Sequence, residues 1–224
     1  MKAALYVAVA VVAGAAGFFI YKSTLEPASS PAAAASDVIH ASAPEQKASA
    51  GDETGMSNSL ELLPDFTLTD LEGNTRSIRS WPGQSMIVNF WATWCAPCRR
   101  EIPLLRDIQK AKGADGFQVV GVAIDVREDV LAYAKEIGID YPVLQGEQEA
   151  MEALGKLDTG FGLPITVFTD NQHRIVLTHM GELHKAEADF ILEVIGRVNR
   201  GELTPAAART MAAAQLRNLD GSGA

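Results

Sequence analysis

The sequence predicts an α/β domain: a mixed central sheet flanked by helices, with an N-terminal β-hairpin and a strand–helix insert. Three observations carry that expectation. Two apolar runs, Met86 to Trp91 and Phe117 to Asp125, are continuous enough to be strands buried on both faces. Segments with apolar residues at helical spacing separate the strands, which is the alternation of a sheet with parallel crossovers. Later in the chain, Ile165 to Thr169 and Arg174 to Met180 flank Asp170-Asn171-Gln172-His173 and read as a hairpin.

Taken in order, Phe66 to Asp70 and Thr75 to Arg79 alternate as short strands around the turn Glu72-Gly73-Asn74. Met86 to Trp91 is the first central strand. Pro97 to about Lys112 is a helix with Ile102, Leu105 and Ile108 on its inner face. Pro103 inside it removes one internal hydrogen bond and predicts a kink. Phe117 to Asp125 is the second central strand, and Glu128 to Gly138 a helix carrying Leu131 and Ala134. Tyr141 to Leu144 and Glu147 to Leu157 supply the inserted strand and short helix. After the late hairpin, Ala186 to Asn199 places Phe190, Ile191, Val194, Ile195 and Val198 on one helical face. Thr204-Pro205 is an N-cap followed by a first-turn proline, opening an Ala-rich helix to about Asn218 before a Gly/Ser tail.

Composition bounds the rest. A chain of 224 residues that is 47% hydrophobic can bury one ordinary core plus appendages. Its net charge of -9, with no cluster of Lys or Arg, argues against nucleic acid as a partner. Residues 1–22 contain an uncharged run from Ala3 to Tyr21, about the 20 residues a membrane-spanning helix needs. A cleaved signal peptide is the competing reading, but its apolar region is shorter and the Ala-rich cleavage candidates lie beyond the run. The expectation is a single N-terminal anchor. That would place the folded part across the membrane, in an oxidising compartment such as the periplasm. Residues 23–58 are rich in Ala, Ser and Pro and lack aromatic residues, so they read as a flexible linker with a reach of roughly 30–35 Å. The folded domain is expected over 59–200, with 201–224 a C-terminal helix and tail.

The chemistry concentrates in Trp94-Cys95-Ala96-Pro97-Cys98, which holds both cysteines of the chain. Two thiols on the first turn of a helix can cycle between dithiol and disulfide. A C-x-x-C can also be half of a zinc site, and zinc needs four ligands. The four histidines are His40, His173, His179 and His184. None has a ligand spacing to the cysteines, so no metal site is expected. Beside a β-α-β pattern the motif reads as a redox pair.

The segment Trp91-Ala-Thr-Trp-Cys-Ala-Pro-Cys-Arg-Arg-Glu-Ile-Pro103 closely resembles the active-site segment of the thioredoxin superfamily. Within it, the chain resembles the membrane-anchored TlpA/ResA-like thiol–disulfide oxidoreductases, from about Leu60 to Arg200. Phe161-Gly162-Leu163-Pro164-Ile165-Thr166 is similar to the cis-proline loop of that superfamily, and the insert to the extra strand and helix of the TlpA/ResA branch. The resemblance implies a thioredoxin-like fold with the redox-active pair Cys95 and Cys98 and no other cofactor. It makes Cys95 the attacking nucleophile and Cys98 the resolving thiol. Helix-terminal N–H groups would stabilise the Cys95 thiolate, while Arg99 and Arg100 are expected to face solvent. Trp94 would shield the pair, and the Leu163 backbone beside Pro164 would receive an extended client segment.

Thioredoxin has a buried aspartate at the position of Asn89, which cannot exchange a proton. Glu101 is the substitute that the TlpA/ResA branch uses; if buried, its carboxyl would hold its proton longer and exchange it with Cys98. The plain alternative is a first-turn glutamate that favours the helix dipole.

The resulting expectation is a tethered protein-disulfide reductase. Its partners would be disulfide-containing clients and a transmembrane electron donor of the DsbD/CcdA kind. Cytochrome c maturation and copper-site assembly are the pathways that the branch implies. Two other functions share the fold. A peroxiredoxin-type peroxidase needs a threonine three residues before its reactive cysteine, where this chain has Ala92. A copper-binding chaperone uses C-x-x-x-C and a distant histidine, and here the cysteine spacing differs.

Overall fold

The computed structural model describes residues 61–157, 159–160 and 162–221. The expected anchor and linker, together with Phe161, lie outside the described residues. Among those described, no helix is long and apolar enough to cross a membrane.

The chain runs β1 (Thr67–Asp70), β2 (Thr75–Ser77), β3 (Ser85–Trp91), α1 (Ala96–Lys112), β4 (Phe117–Ile124) and α2 (Arg127–Ile137). It continues with β5 (Val143–Gly146), α3 (Gln148–Gly155), β6 (Ile165–Thr169), β7 (Ile175–Met180), α4 (Lys185–Asn199) and α5 (Pro205–Gly221). Seven strands form one sheet in the order β2-β1-β5-β4-β3-β6-β7. Strands β3, β4 and β5 run parallel, whereas β1, β2, β6 and β7 pair antiparallel with their neighbours. The inserted β5 is therefore the strand that joins the N-terminal hairpin to the central sheet.

Period-two alternation sorts the side chains between two cores. Ile87 and Trp91 of β3, with Val119 and Ala123 of β4, pack under α1 and α4. Met86, Val88 and Phe90, with Val120 and Val122, face α3 and the segment bearing Leu63 and Phe66. Asn89 lies on the first of these faces, between Ile87 and Trp91, and is fully buried. A polar side chain at that place must find partners inside the protein.

The helices follow their apolar stripes with small departures. Cys98, Glu101, Ile102, Leu105 and Ile108 are the buried residues of α1, and the helix continues through Pro103 from Ala96 to Lys112. In α2 the buried positions are Val130 and Ala134, while Leu131 is exposed. Helix α5 extends to Gly221, beyond the expected end near Asn218. It packs on α4 and β7, and Arg209 Nη2 donates to Ile175 O at 2.7 Å. The Ile175 N–H donates to Glu61 O at 2.8 Å, so both backbone groups of this β7 residue are occupied by neighbouring segments.

Gly121 on β4 permits a close approach. A Cβ there would sit 3.0 Å from Trp91 Nε1 and 3.2 Å from Tyr141 Cε2, both in side chains with little room to move. Gly121→Val is expected to destabilise the domain by about 3 kcal/mol through overpacking. Thermal denaturation checks this; an unchanged melting temperature would show that the ring cluster can yield.

Candidate active site

Strand β3 ends at Trp91 and the chain turns through 92–95 into α1. Thr93 anchors that turn, donating from its N–H (2.8 Å) and its hydroxyl (2.5 Å) to Asp125 Oδ2 at the end of β4. Trp91 is fully buried, its ring 5.8 Å from that of Tyr133 on α2. Trp94, in contrast, is 70% exposed and stands at the surface beside the pair. It is an open apolar face more than a cover.

Cys95 caps α1 and is joined to Cys98 by a disulfide, with the Cα atoms 5.3 Å apart. The Cys98 N–H points at Cys95 Sγ, 3.3 Å away. An N–H at a helix start, aimed at sulfur, favours a thiolate there once the disulfide is reduced. Cys98 is fully buried and Cys95 nearly so. Of the two, only Cys95 keeps any exposure, at 5%.

Glu101 lies one turn beyond Cys98, on the same buried stripe, and is 1% exposed. Its carboxylate has two donors: Asn89 Nδ2 at 2.7 Å and the Leu183 backbone N–H at 2.7 Å, from the loop between β7 and α4. Asn89 Nδ2 also donates to Thr166 Oγ1 on β6, at 3.0 Å. Burial pushes the Glu101 carboxyl up from 4.5 to about 7; the two donors pull it down and neighbouring Glu182 pushes it up. A group that changes protonation near neutrality, one turn from a buried thiol, is suited to exchanging protons with it.

Arg99 and Arg100 are exposed, as expected, and each has a partner. Arg100 Nε donates to Glu182 Oε2 at 2.8 Å, and its Nη2 donates to the same oxygen. Arg99 lies over the Tyr133 ring, 5.1 Å from its centroid. Sequence reasoning missed the Arg100–Glu182 pair and the Leu183 donor, because no local pattern links residues some 80 positions apart. It also treated Asn89 only as a lost proton carrier, whereas the amide is what holds Glu101.

The Leu163–Pro164 peptide is cis, and Pro164 O accepts from the Gly181 N–H at 3.0 Å. Pro164 is buried and Leu163 half-buried. The same Gly181 begins the loop that supplies the Leu183 donor, so the proline loop and Glu101 share one support. His179 and His184 also lie at this end: His179 Nε2 is 3.3 Å from Glu182 O, and the His184 N–H donates to Glu187. Neither is grouped with the cysteines; among the described residues no three His, Cys, Asp or Glu side chains are placed to hold a metal ion.

Comparison with known proteins agrees with this geometry. The thiol-disulfide oxidoreductase ResA of Geobacillus kaustophilus is 29% identical over 133 residues, covering 59% of this chain and 75% of that protein. The thioredoxin-like protein YneN of Bacillus subtilis is 31% identical over 138 residues, covering 60% and 78%. Among solved structures, a thiol:disulfide interchange protein of the thioredoxin family from Chlorobium tepidum is 34% identical with a TM-score of 0.55. The match covers 61% of this chain and 97% of that one. The domain has a thioredoxin-like fold whose redox group is its own cysteine pair. The AhpC/TSA family model matches residues 61–178, more than half of the chain, and the protein belongs to the AhpC/TSA family.

Proposed function

We propose that this thiol–disulfide oxidoreductase works as a reductase of client disulfides. The observation that carries the reading is the Cys95–Cys98 pair at the start of α1 with Glu101 buried one turn behind it. In the reduced state the Cys95 thiolate attacks a client disulfide, forming a mixed disulfide and releasing one client thiolate. Cys98 then loses its proton to the Glu101 carboxylate and attacks Cys95 Sγ. The second client thiol leaves and the Cys95–Cys98 disulfide closes, so two electrons pass from the domain to the client. Trp94, Leu163 and Pro164 would supply the docking surface for an extended client segment.

Ala96-Pro97 between the cysteines lacks the histidine found in strongly oxidising relatives of this fold, which favours reduction. The uncharged run Ala3 to Tyr21 supports a single membrane anchor, with the domain in the periplasm. Reduction in an oxidising compartment requires electrons from a transmembrane donor of the DsbD/CcdA kind. Cytochrome c maturation and copper-site assembly are the processes in which such a reductase would serve. The peroxidase reading finds no support at the cysteine: Ala92 stands where a threonine is needed, and Thr93 is committed to Asp125.

Cys98→Ser tests the reading, because it removes the resolving thiol and should stall the mixed disulfide. The expected result is a ladder of adducts on Cys95 that dithiothreitol releases and that Cys95→Ser abolishes. Absence of thiol-dependent adducts from reduced Cys98→Ser, offered disulfide-containing proteins, would remove client reduction as the function.

A further inference from the structure

Two consecutive residues of α1 pair with two consecutive residues of the loop after β7. Arg100 pairs with the Glu182 side chain, and Glu101 pairs with the Leu183 N–H. The outer rung is an exposed ion pair, with side-chain exposures of 59% and 23%; the inner rung is buried. An isolated surface ion pair contributes little to stability. Its place here gives it another role, because its two opposite charges are carried by the chain neighbours of the residues that form the inner rung.

We propose that Arg100 and Glu182 are positioning residues that set the field at Glu101: each charge offsets the other, and their balance fixes where Glu101 changes protonation. The proposal rests on the reading of Glu101 as the proton partner of Cys98. The Arg100 guanidinium holds the Glu182 carboxyl below the usual glutamate range, so Glu182 is a fixed anion at neutral pH. That anion disfavours ionisation of Glu101. Other polar and titratable groups at this end of the domain are Asn89 on β3, Thr166 on β6, Tyr141 before β5, and His179, His184 and Glu187 around the loop. Among these, His179 and Glu187 lie 3.9 Å apart and face each other across the loop, not across α1.

Removing one charge at a time separates a field from a mere strap. Glu182→Gln keeps an acceptor for Arg100 but deletes the anion, leaving the Arg100 cation uncompensated. The Glu101 carboxyl should then titrate lower, by about half a pH unit. Arg100→Gln deletes the cation and leaves Glu182 bare, so Glu101 should titrate higher by a similar amount. The double substitution should return close to wild type. A strap that only excludes water would move both single variants downwards, because hydration favours the carboxylate in each.

The readout is the side-chain carboxyl ¹³C shift of Glu101 against pH in the oxidised full chain. It needs no client, no electron donor and no turnover. Glu202→Gln, which neutralises an exposed carboxylate paired with Arg200, controls for net charge and should leave Glu101 unmoved. Opposite shifts in the two single variants support the proposal; shifts of the same sign, or none, overturn it. The pH profile of Cys98 alkylation in the reduced protein then tests the underlying reading. If the carboxyl shifts split but alkylation does not follow, the field assignment stands and proton exchange with Cys98 falls.

Discussion

Oxidised wild-type protein should lose stability as pH rises from about 4.5 to 7, and Glu101→Gln should remove that loss. In the unfolded chain Glu101 gives up its proton near its ordinary value of 4.5, whereas in the fold it keeps it until about 7. Across that interval the folded state holds more protons than the unfolded one, so each step upward in pH favours unfolding. A shift of this size corresponds to about 3 kcal/mol, fully present as a penalty above pH 7 and absent below pH 4.5. Other carboxylates also titrate at the acid end, but they are common to both proteins and cancel in the difference. Glutamine keeps an acceptor for one of the two donors, Asn89 or Leu183, and leaves the other short. Its absolute stability therefore carries a constant, pH-independent cost of about 1–3 kcal/mol. The diagnostic quantity is the slope. Urea denaturation at pH 4.5, 6 and 8 measures it; parallel curves for the two proteins would mean that Glu101 is ionised in the fold like any surface glutamate.

Asn89→Asp is expected to have an effect as large, and in the same pH range. The Asn89 amide donates to Glu101 at 2.7 Å, so an aspartate there puts two buried carboxyls at hydrogen-bond distance. Both cannot ionise at that separation, and the pair retains one shared proton well above neutrality. Near pH 5 the shared proton replaces the lost amide donor and stability should stay near wild type. At pH 8 the variant should be weaker by about 2–4 kcal/mol, since a buried charge is then forced against another or a proton is taken from scarce supply. Stability at pH 8 equal to wild type would show that the 89 and 101 side chains move apart freely. The expected cost follows from a buried site that has room for one carboxylate.

Much of this arrangement is visible in the order of residues. Continuous apolar runs identify β3 and β4, because strands covered on both faces leave no alternation to disguise. The late hairpin and the helix at Ala96 follow from turn chemistry and from Pro97 in the first turn. Glu101 was ambiguous for a definable reason. Its spacing from Cys98, Ile102 and Leu105 puts it on the buried stripe, yet a glutamate in the first turns of a helix is equally at home in solvent. Only the loop bearing Leu183 decides between these, and that loop is distant in sequence. The sheet order was similarly hidden: nothing in Val143 to Gly146 says that it joins β1 on one side and β4 on the other. Register between distant strands is set by tertiary packing, and local pattern does not report it. Arg100 is exposed as the sequence suggests, but a charged residue beside a charged residue gives no clue to its partner Glu182 on another element.

The closure of Ile175 by Glu61 on one atom and Arg209 on the other has a consequence for how copies of this protein meet. A sheet border with free amides and carbonyls invites lateral growth by a second molecule. Here β2, at the opposite border, is only three residues long. At β7 the last helix, through Arg209, and Glu61 occupy the main-chain groups of Ile175. The C-terminal helix and the segment at Glu61 thus close the start of that border, at Ile175, to strand-on-strand growth.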